Sequence, residues 1–503
     1  MNRRDFLQLS AGSLFFFLQQ SCSDPKRLRF PVRIHSDAKR GHFIRNIPTA
    51  RPKEVFKKGI VIIGGGMAGM SAAVALKDHD IKVLELGAQL GGTSGTVNIN
   101  DAQIANGAHY EVAYPAQFGQ ETLRFLAEEL DFIQFNAINN SWDFVDSQYI
   151  ISPDQESVSF LDGKSVYEPF RLSPNYGRFI ELMKSYSGQL PLPTRNIAPE
   201  LKASLDRQNF RTWLRDQLGE VDFMLEKLIS YELKDDYGTS IEQTSALAGV
   251  SYYACRPYYD QKLPIFSPPQ GNSYLIDKMK NALDPEQYAC NTMVYKILDQ
   301  DKDVELWCYD FAEEKSFRIS CKKVIYTGKK QSLPYLFPRI GNAFQPIQYS
   351  TWAVINYQLT KEIVEDHYWQ NEFPEGKSGF LGFVDNYAQK SETETPILST
   401  YFCYDPQYRG YMLDQTQDAE RLVTAGLGYL NAFYETDLNY MLQSADVTFH
   451  GHAMPSPVPG YLSHPFPKRM GNVHFAGVDT GRLPLLFEAV DSGLEAIAPL
   501  LKS

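Results

Sequence analysis

The stretch "GIVIIGGGMAGMSAAVALKDHDIKVLELG" begins at Gly59 and sets Gly64, Gly66 and Gly69 at G-x-G-x-x-G spacing. At that spacing the first glycine suits a tight turn, the second lets backbone approach a diphosphate, and the third lets a new helix pack on the strand before it. Met67 and Ala68 then open a helix whose first amides face the phosphate oxygens. The β-branched run before Gly64 predicts a strand buried on both faces. "SAAVALKDHD" supplies the helix and "IKVLEL" the next strand, which ends on Glu85, placed to accept ribose hydroxyls. A carboxylate there disfavours a 2′-phosphate. The chemistry is dinucleotide binding, and FAD and NAD share this fingerprint.

The residues beyond Glu85 separate the two cofactors. Gly91 and Gly92, ahead of Thr93 in "GAQLGGTSGT", leave room for adenosine and pyrophosphate to pass under a second loop, and "NGAHYEVAYP" comes next. Near the C-terminus stands "NVHFAGVDTGRLPLLFEAVDSGLEAIAPLL". On these residues the chain resembles the flavin-containing amine oxidase superfamily, and the resemblance implies FAD. It puts Gly477 and Asp479 beside the ribityl and pyrophosphate, and the first-turn amides around Phe487, Glu488, Ala489 and Val490 at flavin O2. A helix N-terminus there stabilises the negative charge of reduction. The hairpin-like "NTMVYKILDQDKDVELWCYD" leads to "FRISCKKVIYTG", and by the same resemblance Val294 meets the adenine.

The elements that must position these residues form an α/β, two-domain flavoprotein. A discontinuous Rossmann-like FAD-binding domain takes residues 57–112, 265–340 and 462–503, and a mixed α+β substrate domain takes 113–261 and 341–461. Upstream, Arg3 and Arg4 precede a short apolar run and Cys22. This resembles a twin-arginine export signal over 1–24, with Cys22 as a lipid-attachment candidate, and 25–56 reads as a tether. The expected location is periplasmic, free or anchored through Cys22. No stretch is long enough for a transmembrane span.

"GAHYEVAYP", "DDYGTSIEQTSALAGVSYYACRP", "PPQGNSYL" and "HAMPSPVPGY" are similar to an exported bacterial subgroup, with spermidine dehydrogenase-like proteins its nearest relatives of named substrate. The resemblance also has departures. Thr93 replaces an arginine that many members carry, so the pyrophosphate charge must be met elsewhere. "YSTWAVINYQL" offers Trp352, Ala353 and Asn356 where many members hold a lysine near flavin N5, and Leu485 replaces a cage tyrosine. A site without that cation favours a quinone or protein carrier over oxygen as electron acceptor, unless His109 or Arg482 supplies the charge.

Candidate catalytic residues are His109, Asp236 and Trp352, with Tyr110, Tyr237, Asn356 and His452 in the pocket. Each has a bland alternative: a packed histidine, a carboxylate at the Gly238 turn, a core tryptophan, a loop brace. The expected reaction is hydride transfer from a carbon bearing nitrogen, in a small-molecule amine or polyamine, to flavin N5. A desaturase or isomerase on an apolar substrate, and a structural FAD beside a partner-binding domain, are the alternatives.

The net charge of −11 and the absence of any dense Lys/Arg cluster after residue 60 argue against a nucleic-acid partner. The six cysteines form no C-x-x-C pair, so no zinc or dithiol site is indicated and no metal is expected.

Overall fold

The computed structural model of the protein describes residues 28–36, 38–100, 102–256, 263–363, 367–389, 396–410 and 418–501. Arg3, Arg4 and Cys22, on which the export and lipid expectations rest, lie outside the described residues.

The first sheet runs Tyr288–Ala289, Ile81–Leu84, Val55–Ile63, Lys315–Tyr326, Asp303–Asp310, Thr292–Gln300. The first four strands are parallel and the last three form an antiparallel meander; Val473–Phe475 also pairs in parallel with Lys315–Tyr326. Val61 and Ile62 are fully buried, as a strand covered on both faces requires. Helix Met67–Ala75 leaves the glycine turn and packs on the C-terminal helix Leu486–Ile497. Gly493 permits that approach, since a Cβ there would fall 2.3 Å from the Ala68 carbonyl oxygen.

The second sheet holds eight strands around Tyr349–Leu359, which is buried along its whole length between Ile397–Tyr404 and Leu442–Pro455. Its alternation sorts two faces. Ala353, Ile355 and Tyr357 join the core under helix Ala419–Phe433, where the Tyr357 hydroxyl donates to the Val423 carbonyl at 2.7 Å. Trp352 and Val354 join a separate aromatic cluster on the opposite face.

Two domain expectations are corrected. The division at residue 112/113 does not separate two cores. Helices Phe210–Leu218, Phe223–Tyr237 and Ala246–Ala254 share one continuous hydrophobic cluster with Met67–Ala75 and the C-terminal helix. The interval 25–56, read as a tether, is an integral arm wherever it is described. Val32–His35 adds a parallel edge strand, Val32 opposite Ala445, and the Arg33 guanidinium grips Asp446 at 2.8 and 2.6 Å. Farther on, Phe43, Ile44 and Ile47 pack with Leu86, Tyr309 and Phe311 of the other domain, and Arg51 pairs with Glu305 at 3.0 Å. The arm's apolar residues are too scattered to give a period, so their docking was invisible without the two sheets.

Beside the second sheet, the ring nitrogens of His367 meet Asp385 at 2.5 Å and Glu362 at 2.6 Å, and the ring stacks on Tyr387. Asp385 above all raises the imidazole to about 9 from its ordinary 6.5. A raised folded value means the stabilisation is complete below pH 6.5 and is lost as pH rises through about 9. Melting temperature is therefore expected to fall from pH 6.5 to 9.5 by a few degrees more in the wild type than in His367→Gln, read by thermal melts across that range.

Candidate functional site

The groove at the glycine turn is defined by what its backbone forbids. Gly64 sits at φ +111°, and Gly69 admits no side chain, because a Cβ would lie 1.9 Å from the Gly64 carbonyl oxygen. Gly66 is different. It has an ordinary φ of −78°, and the nearest atom to a Cβ there would be the Gly91 carbonyl oxygen at 3.8 Å. Nothing in the protein itself demands glycine at 66, whereas a group lying in the groove would. Gly91 and Gly92, at φ +125° and +60°, form the facing wall, and a Cβ on Gly92 would sit 3.5 Å from Gly66 Cα. The Thr93 carbonyl accepts from Ala108 at 3.0 Å and so ties that wall to the NGAHY segment.

Helix Met67–Ala75 begins with no side-chain cap, leaving its first amides to the groove. Glu85 is fixed at its strand end by the amides of Gly65 at 2.6 Å and Gly87 at 2.7 Å. Val294 is a buried core residue beside a bulge in its strand. The donor set, the uncapped helix and the spare room at Gly66 fit a dinucleotide diphosphate.

At the far end, Gly477 at φ +122° turns the chain into Asp479, and both oxygens of that carboxylate are occupied. Oδ1 takes Lys330 Nζ at 2.8 Å, while Oδ2 takes the Lys330 amide at 2.9 Å and the Tyr349 hydroxyl at 2.8 Å. Lys330 is wholly buried and also donates to the carbonyls of Ala476 at 2.6 Å and Gly328 at 3.1 Å. Burial pushes the Asp479 carboxyl up, but Lys330 and Lys329 hold it below its usual value. The C-terminal helix also starts without a side-chain cap, at Leu485. The Glu488 side chain turns away to Arg482 at 2.9 Å and to the Thr194 amide at 2.6 Å, Val490 is core, and Ala489 closes the first turn onto the Leu485 carbonyl at 3.0 Å. Arg482 is spent on Glu488, Asp491 and Glu495, so it is not available as a charge in the groove.

A second constellation lies under the inner face of the second sheet. His109 stands 4.8 Å from Tyr401, 5.2 Å from Tyr110 and 5.8 Å from Trp369, centroid to centroid. Its Nε2 is sealed from solvent and without a partner, as is the Tyr401 hydroxyl. Burial lowers the imidazole to about 4, so it is neutral at physiological pH. The Tyr110 hydroxyl donates to Asp236 at 2.7 Å. Around it gather Glu232, Asp235 and Glu372, each raised chiefly by burial and further by neighbouring carboxyls, Asp236 among them. Asp236 is raised by burial too, though Tyr252 and Tyr110 pull it back. These carboxyls are half-buried.

Of the residues expected in the pocket, His109, Tyr110, Asp236, Trp352 and Asn356 meet on this side. Trp352 donates to Ser350 at 3.2 Å with its ring 6.5 Å from Tyr401, and Asn356 donates to the Ala105 carbonyl at 3.2 Å while its Oδ1 has no partner. Tyr237 does not join them. One residue beyond Asp236 on the same helix, it points into the helical core against Tyr252. His452 stands apart beside Tyr349 at 5.4 Å.

Tyr401, Trp369, Asp235, Glu232 and Glu372 were missed. Only the acid-rich end of "SYELKDDY" carried a signal. Lys329 and Lys330 were missed as well. Lys329 Nζ binds the Ala453 carbonyl at 2.7 Å and lies 5.7 Å from the Tyr349 ring. Strand Tyr349–Leu359 carries no lysine, and Lys329 reaches its first residue from the loop after Lys315–Tyr326. Among the described residues no group of His, Cys, Asp and Glu could hold a metal, and no helix is long and apolar enough to cross a membrane.

Residues 62–128 match the profile of an NAD(P)-binding Rossmann-like domain. An L-amino acid oxidase, Lm29 of Lachesis muta, is 24% identical over 342 residues, which are 63% of this chain and 60% of that protein. The chain thus spans less than two thirds of the length of that curated relative. A putrescine oxidase redesigned in its cofactor binding superposes with a TM-score of 0.65 at 15% identity, covering 89% of this chain and all of the other. Cyclohexylamine oxidase from Brevibacterium oxydans gives a TM-score of 0.61 at 15% identity over 88% and 99% of the two chains. These likenesses establish the fold: a two-domain α/β protein with a Rossmann-like dinucleotide-binding domain.

The glycines predict two distinct failures. Gly69→Ala is expected to destabilise the apoprotein by several degrees, because its methyl meets a backbone carbonyl. Gly66→Val should melt as the wild type does and yet lose dinucleotide binding by at least about a hundredfold, as read by thermal melts and equilibrium titration.

Proposed function

We propose that this chain is an FAD-dependent oxidoreductase of the amine oxidase type, acting on the C–N bond of a small amine. The observation that carries the reading is the Tyr110–Asp236 pair at 2.7 Å, with the rings of His109, Tyr401 and Trp369 gathered beside it. Aromatic faces with a carboxylate at one end attract a cationic amine. A wholly apolar tunnel, the feature expected for a desaturase, is not what these carboxyls would line. The names of the similar proteins, an L-amino acid oxidase and oxidases of putrescine and cyclohexylamine, point the same way.

Gly64, Gly66, Met67, Ala68, Gly69, Glu85, Gly91, Gly92, Thr93, Val294 and Gly477, with the turn Glu488–Val490, would hold the FAD. When bound, FAD supplies the two-electron acceptor. The chain's own work is to hold the amine by its charge, to keep water from the reacting carbon, and to present the unpartnered Nε2 of a neutral His109 as a proton acceptor. Asp479 serves by position alone in this reading, its oxygens being taken by Lys330 and Tyr349.

Anaerobic mixing with a panel of amines, polyamines and apolar alkenes should bleach the flavin absorbance for an amine and not for the alkenes. Asp236→Asn should raise KM for that amine by about tenfold to a hundredfold with a smaller change in kcat. Bleaching by an alkene alone would overturn the reading. Strand Tyr349–Leu359 brings no lysine, so a quinone or protein carrier stays the preferred electron acceptor over oxygen in this reading. The expected envelope location places such carriers within reach.

Export itself is proposed from the paired arginines. Arg3→Lys with Arg4→Lys should leave the protein in the cytoplasm with its flavin bound, measured by fractionation and absorbance. The same fractions, labelled with palmitate, test Cys22 as an anchor.

A further inference from the structure

A knot of positive charge lies where the arm crosses the dinucleotide groove. At the sheet end Lys329 binds the Ala453 carbonyl, and His452 beside it feels the charges of Arg409, Lys329 and His42, while Arg409 feels that of Arg45. The Tyr349 ring stands 5.7 Å from Lys329 Nζ and 5.4 Å from the His452 ring. The arm adds His42 and Arg45, which follow Gly41, a residue lying 4.0 Å from Leu86 if given a Cβ. Leu86 directly follows Glu85, and Phe43 and Ile44 pack beside it. Lys329 in turn directly follows Gly328, whose amide lies 3.2 Å from where a Cβ on Gly64 would be. The cluster therefore spans from the adenosine end of the groove to the glycine turn.

In a chain of net charge −11, these cations have almost no carboxylates. Arg45 and Arg409 form no ion pair among the described residues, and Arg409 Nε is sealed from solvent without a partner. Among the described residues the carboxylate that acts on Lys329 is Asp479, already taken by Lys330 and Tyr349. Burial, with Arg409, Lys329 and His42 adding to it, drives His452 down to about 3. Lys329 and the sealed Nε of Arg409 are sheltered cations, costly to keep there unless an anion joins them, and the exposed Arg45 and His42 flank them from the solvent side.

We propose that residues 38–47 form a clasp over the groove, and that Arg45 and Arg409, with Lys329 and His42, meet the dinucleotide diphosphate. The proposal rests on the reading of the groove as an FAD site. It answers where the pyrophosphate charge is met when Thr93 stands at the second glycine pair. Arg45 and Arg409 come from chain segments far apart, so the anion joins arm and sheet as well as being held by them.

The test uses the full chain stripped of flavin and titrated with FAD, ADP and adenosine at low and high salt. Arg45→Ala with Arg409→Ala should weaken FAD and ADP by about tenfold per charge removed, flatten the salt dependence, and leave adenosine unchanged. Arg45→Lys with Arg409→Lys should restore most of the loss. Equal weakening of adenosine would make the arm a purely structural cover and overturn the proposal, as would unaltered FAD and ADP affinity in a folded double variant. If the wild type bound neither FAD nor ADP, the reading of the groove would fall first, and the clasp with it.

Discussion

One buried ammonium sets the geometry of the groove. Lys330 spends its three protons on Asp479 and on the carbonyls of Ala476 and Gly328, while its own amide and the Tyr349 hydroxyl complete the carboxylate. Three chain segments are fixed by it: the loop after Lys315–Tyr326, the turn at Gly477, and the first residue of the central strand of the other sheet. A pair of this kind costs much of its attraction in desolvation, so it adds little to stability as a whole. Losing one partner, however, strands a charge in the interior at a cost of about 3–5 kcal/mol. Its contribution is alignment, and the position of one domain on the other follows from it.

Helix Phe223–Tyr237 works against itself for the sake of the second constellation. Glu232, Asp235 and Asp236 share its last turns, spaced so that both aspartates neighbour Glu232 on the helix surface. They stand at the end where the helix dipole is already negative. Burial raises all three further. A sequence selected for stability alone would place lysine there. Gly238, left-handed and pressed against Ser350, then ends the helix and holds this acidic turn at the sheet. Local cost of this sort is characteristic of sites kept for a ligand.

The legible parts of the chain were those where backbone geometry dictates residue type. A turn at positive φ and a helix that must touch a carbonyl admit little besides glycine, and the strand, turn, helix and strand from Val55 to Leu84 could be read from the residues. The aromatic wall could not be read in this way. Tyr401 reaches His109 only because its strand pairs Tyr401 with Val354, and register is not written in composition. Tyr237 packs on Tyr252 in the helical core, a partner that only the folded arrangement of the helices supplies. Lys329 and Lys330 looked like ordinary charges after a strand, and only the arrival of Ala453 and Asp479 from far downstream makes them interior.

The arm has a consequence for the order in which the molecule is assembled. Arg33 and its partner Asp446 are 413 positions apart in the chain, so the first described strand has nothing to pair with until Leu442–Pro455 is in place. Among the contacts described it closes one of the largest loops, and such contacts form late. Until then the adenosine end of the groove stands open. With the proposed clasp closed, Phe43 and Ile44 lie against Leu86, and a group in the groove leaves only after that packing opens. Release would then follow the rate of a partial unfolding event rather than the rate of a simple dissociation.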